Sequence, residues 1–208
     1  MNGGPTTTRV YDVLRRRIME RGYAPGARLD PQAVADELAS STTPVRDALH
    51  VLAGEELITL NPNGGFFCAV VDEPGLVDLY AWNDAVLNIV LRDRKQDPPV
   101  PATWVGTLSP ELVAERARSL FQSMADASHN IEHGRVMRRI NARLHGARQI
   151  ETTLFPDAIE ELESIAHCYS ALDLPELRRR LGRYGRRRQI HAGEVVRQLY
   201  RAAPSREG

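Results

Sequence analysis

Four short stretches at fixed spacing constrain this chain most: Pro25-Gly26-Ala27-Arg28-Leu29, Gln32-Ala33-Val34-Ala35-Asp36-Glu37-Leu38, Ser41-Thr42-Thr43-Pro44-Val45-Arg46-Asp47-Ala48-Leu49 and Asn61-Pro62-Asn63-Gly64-Gly65-Phe66. In the third, Ser41 or Thr42 is placed to cap a helix with a side-chain oxygen. Pro44 suits the first turn, where its missing N–H is not needed. Val45, Leu49 and Leu52 recur at helical spacing and face inward, which turns Thr42, Thr43, Arg46 and His50 to other faces. The second stretch reads as a shorter helix, Pro31 to Ala39, with Val34, Ala35 and Leu38 inward. A tight polar turn between the two helices leaves the leading edge of the second one outward.

Upstream, Thr8 precedes a helix running to about Arg21, with Val10, Val13, Leu14 and Ile18 as its apolar stripe, and Gly22-Tyr23-Ala24-Pro25-Gly26 stops it. Downstream, Leu57-Ile58-Thr59-Leu60 reads as a strand, Asn63-Gly64-Gly65 as a hairpin turn and Phe66 to Val71 as the returning strand. Three helices and a hairpin in this order make a winged helix-turn-helix, in which the last helix enters a DNA groove. Arg46 sits one turn from that helix's N-terminus, and a guanidinium can grip phosphate or guanine through two bonds. The competing use of Arg46 is a surface ion pair with Asp47 or Glu55. The wing-tip glycines either bring backbone close to a phosphate or minor groove, or simply make the turn. The candidate DNA-contacting residues are therefore Arg28, Ser41, Thr42, Thr43, Arg46, His50, Asn63 and Gly64.

Charge gives this interface no global help. Lys plus Arg number 27 and Asp plus Glu 27, for a net charge of zero. Residues 1–71 carry seven Arg, no Lys and eight acidic residues, a net of −1. Attraction to a polyanion then depends on where Arg9, Arg15, Arg16, Arg17, Arg28 and Arg46 are placed, and a second copy of the chain would double each contact. Two of the three positions in Arg15-Arg16-Arg17 read as solvated helix face. Cys68 and Cys168 are far apart and lack metal spacing, as expected of reduced cytoplasmic thiols. No run of 18 apolar residues and no signal-peptide core is present, so a soluble cytoplasmic chain with no membrane partner is expected.

Beyond Asp72-Glu73-Pro74 the β character stops. Helices are expected over Leu76 to Lys95, Ser109 to Ala127, Ile131 to Arg148, Pro156 to Ala171 and Pro175 to Tyr200. A proline-rich loop fills Gln96 to Thr107, and Gly182, Gly185 and Gly193 break or bend the last segment. The domains expected are 1–71, a linker at 72–75, and 76–208. The fold class is mainly α: a winged helix-turn-helix of three helices plus a β-hairpin wing, followed by an all-helical bundle for effector binding and dimerisation.

The N-terminal motifs resemble those of the GntR family of bacterial transcriptional regulators. That pattern runs Gly-x-x-Leu, a helix ending Leu-Ala, Ser-Arg-Thr-Pro-Val-Arg-x-Ala-Leu, then a Gly-rich wing. Gly26, Leu29, Ser41, Thr43-Pro44-Val45-Arg46, Ala48-Leu49, Leu57 and Gly64 or Gly65 match it, over about residues 8–71. Thr42 stands where the family has Arg. Glu55-Glu56 stands where it has Glu-Gly, which removes a left-handed glycine. The remainder is similar to the fatty-acid-regulator-like (FCD) branch, whose C-terminal domain is a helical effector-binding bundle. Many members of that branch hold a metal through an Asp-x-x-x-His pair and two later histidines. Here the segment is Asn141-Ala142-Arg143-Leu144-His145, His191 matches the second histidine, and the third is expected to be missing because the sequence stops at Gly208. Asn83 and Leu87 stand where members place Arg and Glu.

The resemblance implies a homodimeric regulator, commonly a repressor, acting on a roughly palindromic double-stranded operator, and not an enzyme. It implies effector-binding residues Asn83, Asn141, His145 and His191, facing a small organic acid. For a divalent metal, zinc or nickel, it leaves His145 and His191. Nothing in the spacing of His133 or His167 requires either to join them, and two imidazoles beside an amide are an incomplete set. Two alternatives stand beside this reading: a ligand-independent dimeric regulator that has lost the metal and effector site, and a metal-dependent enzyme, for which a full ligand set and a general base are both missing.

Overall fold

The computed structural model describes residues 5–94 and 110–201. They divide into a first compact unit, which runs to Val71 and also takes Tyr200 and Arg201, and a second spanning Asp72–Leu199. The first unit contains α1 (Pro5–Met19), β1 (Arg28–Leu29), α2 (Pro31–Glu37), α3 (Thr42–Gly54), β2 (Ile58–Leu60) and β3 (Phe66–Cys68). Its core is the contact of α1 with α3: Val10 and Leu14 meet Val45, Ala48, Leu49 and Leu52, all at 0–1% exposure. Each buried leucine contributes about 1.5–3 kcal/mol. The helix α1 begins at Pro5, ahead of the expected Thr8 boundary, and Met19 completes its buried stripe, whereas Val13 and Ile18 are half-buried.

The small sheet has one strand more than the expected hairpin. Its order is β1-β3-β2, antiparallel throughout, with Leu29 and Leu60 opposite Phe66, and Arg28 and Thr59 opposite Phe67. The returning strand ends at Cys68 rather than Val71. On the other edge, the Gly26 N–H donates to the Cys68 carbonyl at 3.0 Å and the Cys68 N–H to the Ala27 carbonyl at 2.9 Å. Gly26 has φ +75°, a left-handed conformation that suits glycine.

The second unit holds α4 (Glu73–Arg92), α5 (Pro110–Asp126), α6 (Ile131–Leu154), α7 (Ala158–Ser170), α8 (Leu174–Ile190) and all but the last two residues of α9 (Ala192–Arg201). α4 starts inside the stretch read as linker, because the Asp72 carboxylate caps it by accepting from the Gly75 N–H at 2.8 Å. α6 continues past Arg148 to Leu154. The last segment is two helices rather than one: α8 closes at His191, its C-cap, while Gly182 and Gly185 stay inside it. Gly185 lies against α4, where an added Cβ would meet the Asp84 Cβ at 3.5 Å. The expected proline-rich loop and the Ser109 cap lie outside the described residues. Among the described residues, no helix is long and apolar enough to cross a membrane.

Candidate nucleic-acid interface

The helix pair is set by its caps. Asp30 opens α2, its side chain accepting from the N–H groups of Gln32 (2.9 Å) and Ala33 (3.1 Å), with Pro31 in the first turn. Ala39, at φ +47°, turns the chain out of α2 while the Ser40 N–H returns to the Ala35 carbonyl at 3.0 Å. Ser41 is the N-cap of α3, as expected, but its side chain makes no capping hydrogen bond, and Thr42 is already the first helical residue. The expected side-chain cap is therefore absent. The Ser41 hydroxyl is exposed beside the positive end of α3.

With Val45, Ala48, Leu49 and Leu52 fully buried, helical geometry points Thr43, Arg46, Asp47 and His50 to the opposite side, and all four are exposed. Thr42 is half-buried at the margin of that face. The His50 ring meets Phe66 edge-on, centroids 5.0 Å apart, which ties the exposed edge of α3 to the wing. At the wing tip, the Asn61 side chain accepts from the Asn63 N–H at 3.0 Å, and the Gly64 N–H returns to the Asn61 carbonyl at 2.8 Å. Gly64 (φ +88°) has open space around it, with no atom within 4 Å of where a Cβ would be. Gly65 (φ +104°) lies beneath the Phe67 ring and 3.9 Å from Arg28 Nε on the same measure, so Arg28 stands at the root of the wing.

The arginines separate by what they touch. Glu55, offered above as a partner for Arg46, is instead held by Arg15 Nε at 3.2 Å and by the Tyr11 hydroxyl at 2.5 Å. Burial, then the Glu55 hydrogen bond, push the Tyr11 pKa up to about 12. Arg17 pairs with Glu37 and donates to the Tyr23 hydroxyl at 3.3 Å. Thus Arg15 and Arg17 are engaged inside the unit, and of that run only Arg16 is a solvated face. Arg9 donates to the Leu38 carbonyl at 3.4 Å. Arg16, Arg28 and Arg46 are exposed and have no ion pair among the described residues.

The candidate effector residues are partly brought together. Asn83 and Asn141 are each 1% exposed, and Arg148 joins them: Nη1 donates to Asn141 Oδ1 at 2.8 Å and Nη2 to Asn83 Oδ1 at 3.4 Å. Arg148 is itself 1% exposed, its Nε has no hydrogen-bond partner among the described residues, and its guanidinium lies 5.2 Å from the Phe121 ring centroid. His145, one turn after Asn141, is buried with Nε2 3.5 Å from the Gln149 amide nitrogen. His191 is exposed at the end of α8; its Nδ1 contacts the Arg187 carbonyl at 2.7 Å and its ring meets Phe155. These residues do not fit a zinc or nickel ion. A guanidinium already holds the Asn141 oxygen, and among the described residues no three His, Cys, Asp or Glu side chains converge as metal ligands.

Arg148 escaped the sequence reading, as did Arg188. The latter is 1% exposed and bonds Glu151 and Glu161 at 2.7 Å each. Burial works against its charge, and Glu151, Tyr184 and Glu161 outweigh that, so its pKa is raised. The available signal was phase: Arg148 continues the spacing of Met137, Asn141 and Leu144, and Arg188 that of Leu177, Leu181 and Tyr184, so both sit on buried stripes.

Residues 6–68 match the model of the bacterial regulatory proteins of the gntR family. The chain is 31% identical over 134 residues to an uncharacterised HTH-type transcriptional regulator in an unstable DNA locus of Streptomyces ambofaciens, covering 62% of this chain and 55% of that protein. It is 40% identical over 58 residues to the Nta operon transcriptional regulator of Aminobacter aminovorans, covering 28% of each. The chain thus spans about half the length of the first of these relatives and less of the second. Among solved structures, it is similar to a Rhodococcus sp. RHA1 chain described as a GntR regulator (TM-score 0.67, 21% identity, 96% of this chain and 99% of that one). It is also similar to Escherichia coli McbR/YncC (TM-score 0.62, 16% identity, 96% and 100%). At these identities the structural likeness speaks for the fold, while the family-model match covers the winged unit. Residues 6–68, the winged unit, are thus similar to the GntR family of bacterial regulatory proteins.

Proposed function

We propose that this chain is a sequence-specific, DNA-binding transcriptional regulator, cytoplasmic and homodimeric, which binds a short palindromic operator. The observation that carries the reading is the exposed Thr43–Arg46–His50 edge of α3, opposite a fully buried apolar face, with Arg46 free of any ion pair among the described residues. Two such helices would enter successive major grooves, with Ser41, Thr42, Asn63, Gly64 and Arg28 reaching the flanking backbone. Selection of bound duplexes from a random pool tests this. Enrichment of an inverted repeat with half-site centres about one helical turn apart is expected; no enrichment at low salt would refute it.

The helical unit is proposed to sense a small organic acid, and repression relieved by that acid is the direction the resemblance implies. Support comes from Arg148, a buried guanidinium facing amides rather than carboxylates, with a free Nε. Desolvated cations without a counter-charge are costly, so an anion there would bind favourably. The second reading, a regulator that works without a ligand, is favoured by the same side chain, because its bonds to Asn83 and Asn141 already satisfy those amides internally. Thermal shift against a series of carboxylic acids separates them: stabilisation rising with ligand concentration supports the sensor. No shift with any acid supports the ligand-free regulator. The domains proposed are 1–71 for DNA and 76–208 for dimerisation and sensing.

A further inference from the structure

The geometry points to α4 as a seam for a second copy of this chain, paired antiparallel about a two-fold axis at Ala85. The inference rests on the dimeric reading above and gives it a surface. Asp78, Trp82, Ala85, Ile89 and Arg92 are all exposed, while the same helix buries Leu79, Val86, Leu87 and Val90 within its own unit. At 3.6 residues per turn, the five exposed residues fall within an arc of about 80° and run about 21 Å along the helix. Their spacing of four, three, four and three is that of a coiled-coil seam. Trp82 is 48% exposed and Ile89 43%, so the largest apolar side chains of the stripe face water in the single chain.

The order of these residues makes the stripe self-complementary. In antiparallel pairing, Asp78 meets the partner's Arg92, Trp82 meets the partner's Ile89, and Ala85 meets its own mate at the axis. The two-fold repeats each contact. Neither Asp78 nor Arg92 has an ion pair among the described residues, so both charges are available. Parallel pairing would instead oppose aspartate to aspartate and arginine to arginine. Ala81 and Ala85 are small and exposed, which lets the two axes approach to about 8 Å. An unrelated protein would have no reason to match acid, aromatic, small, aliphatic and base in mirrored order; a second copy does so automatically. The stripe alone is smaller than the roughly 800 Å² per partner of a standard interface. The free dimer is therefore weak, and two half-sites on one duplex strengthen it through effective concentration.

The test is sedimentation equilibrium of the full chain over a concentration series, with thiol cross-linking. Trp82→Glu is expected to raise the dimer dissociation constant by roughly 30-fold or more, since tryptophan anchors carry a large share of interface energy. Asp78→Arg and Arg92→Asp should each weaken the dimer, and the two together should restore it. Under mild oxidation Ala85→Cys should form a covalent dimer much faster than Asp78→Cys, with Cys68 and Cys168 buried and out of the way. A chain monomeric at every concentration, an undisturbed Trp82→Glu dimer, failure of the double charge swap, or equal cross-linking rates would each overturn the seam. Binding to a single half-site is scored separately. Its survival in Trp82→Glu alongside loss of the dimer supports the seam; its loss in the wild-type chain with the dimer intact also supports the seam, and counts against the regulator reading.

Discussion

Replacing Arg188 by Met should destabilise the helical unit by about 3–5 kcal/mol, the usual result of leaving one partner of a buried ion pair behind. Arg188 and Glu151 are each 1% exposed and meet at 2.7 Å, and the Tyr80 hydroxyl donates to the other Glu151 oxygen. The guanidinium also bonds Glu161 at 2.7 Å and the Tyr184 carbonyl at 3.2 Å, with its carbon 3.3 Å from the Tyr184 ring centroid. Glu161 is 13% exposed and also lies 3.9 Å from Arg187, so it retains a counter-charge. The loss falls on Glu151, which keeps one hydroxyl donor and no cation. Replacing both partners, Arg188→Met with Glu151→Leu, removes the stranded carboxylate and leaves mainly the Tyr80 hydroxyl unsatisfied, a cost of about 1–3 kcal/mol. The double variant should therefore be more stable than Arg188→Met alone. Urea unfolding at neutral pH, with slopes compared to confirm one transition, measures both. A single variant within about 1 kcal/mol of the parent, or a double variant as unstable as the summed singles, would refute the idea that Arg188 acts by neutralising Glu151.

Arg46→Ala should weaken operator binding by about 1–3 kcal/mol per half-site in a fixed-salt titration, with melting unchanged because the residue is exposed and unpaired. Ala39→Gly and Glu56→Gly, at φ +47° and +61°, should each stabilise the first unit by about 0.5–1 kcal/mol in urea melts, since glycine adopts the left-handed region without strain. Tyr11 and Cys68 both have pKa values pushed up to about 12, chiefly by burial. Folded values raised above unfolded ones stabilise the protein fully below the unfolded pKa. Stability should then fall progressively between about pH 9 and 12, read from urea midpoints across that range. If the bundle senses an acid, His145→Ala should abolish acid-induced release from DNA in an anisotropy assay; undiminished release would place the sensor elsewhere.

The helix pair was legible because each of its signals is local and redundant. Pro44 fixes the first turn of α3, and Val45, Ala48, Leu49 and Leu52 repeat at a period that only a helix satisfies. β1 was not, because two residues have no period; Arg28 and Leu29 become a strand only when Phe66 and Phe67 arrive beside them. Asp72-Glu73-Pro74-Gly75 reads as turn chemistry, yet a capping aspartate followed by an early proline is equally the opening of a helix, and tertiary packing chose the second. The break at His191 carries no local signal stronger than those of Gly182 and Gly185, which stay helical. At the candidate effector residues the sequence singled out polar groups of unusual type, Asn and His. It passed over Arg148 and Arg188, since two arginines among 26 do not advertise their burial. Only their phase on an apolar stripe distinguishes them, and long side chains at such positions are ordinarily expected to snorkel out to water.

The charge pattern links the DNA reading to the α4 seam. A winged unit with net charge −1 is attracted to a polyanion mainly through arginines that its own groups have not engaged, and among the described residues Arg16, Arg28 and Arg46 are exposed with neither an ion pair nor a hydrogen bond. If each neutralises one phosphate, a single unit should show a slope of log affinity against log salt of about −2.7, and a dimer about −5.4. Between 50 and 200 mM salt, those slopes correspond to losses of roughly 40-fold and roughly 2,000-fold. The wild-type chain on its full operator should follow the steeper line, and Trp82→Glu on a half-site the shallower one. Identical slopes for the two would mean that the second copy brings no phosphate contacts of its own. In that case the pairing of α4 helices, even if real, would not be what holds this weakly charged reader on DNA.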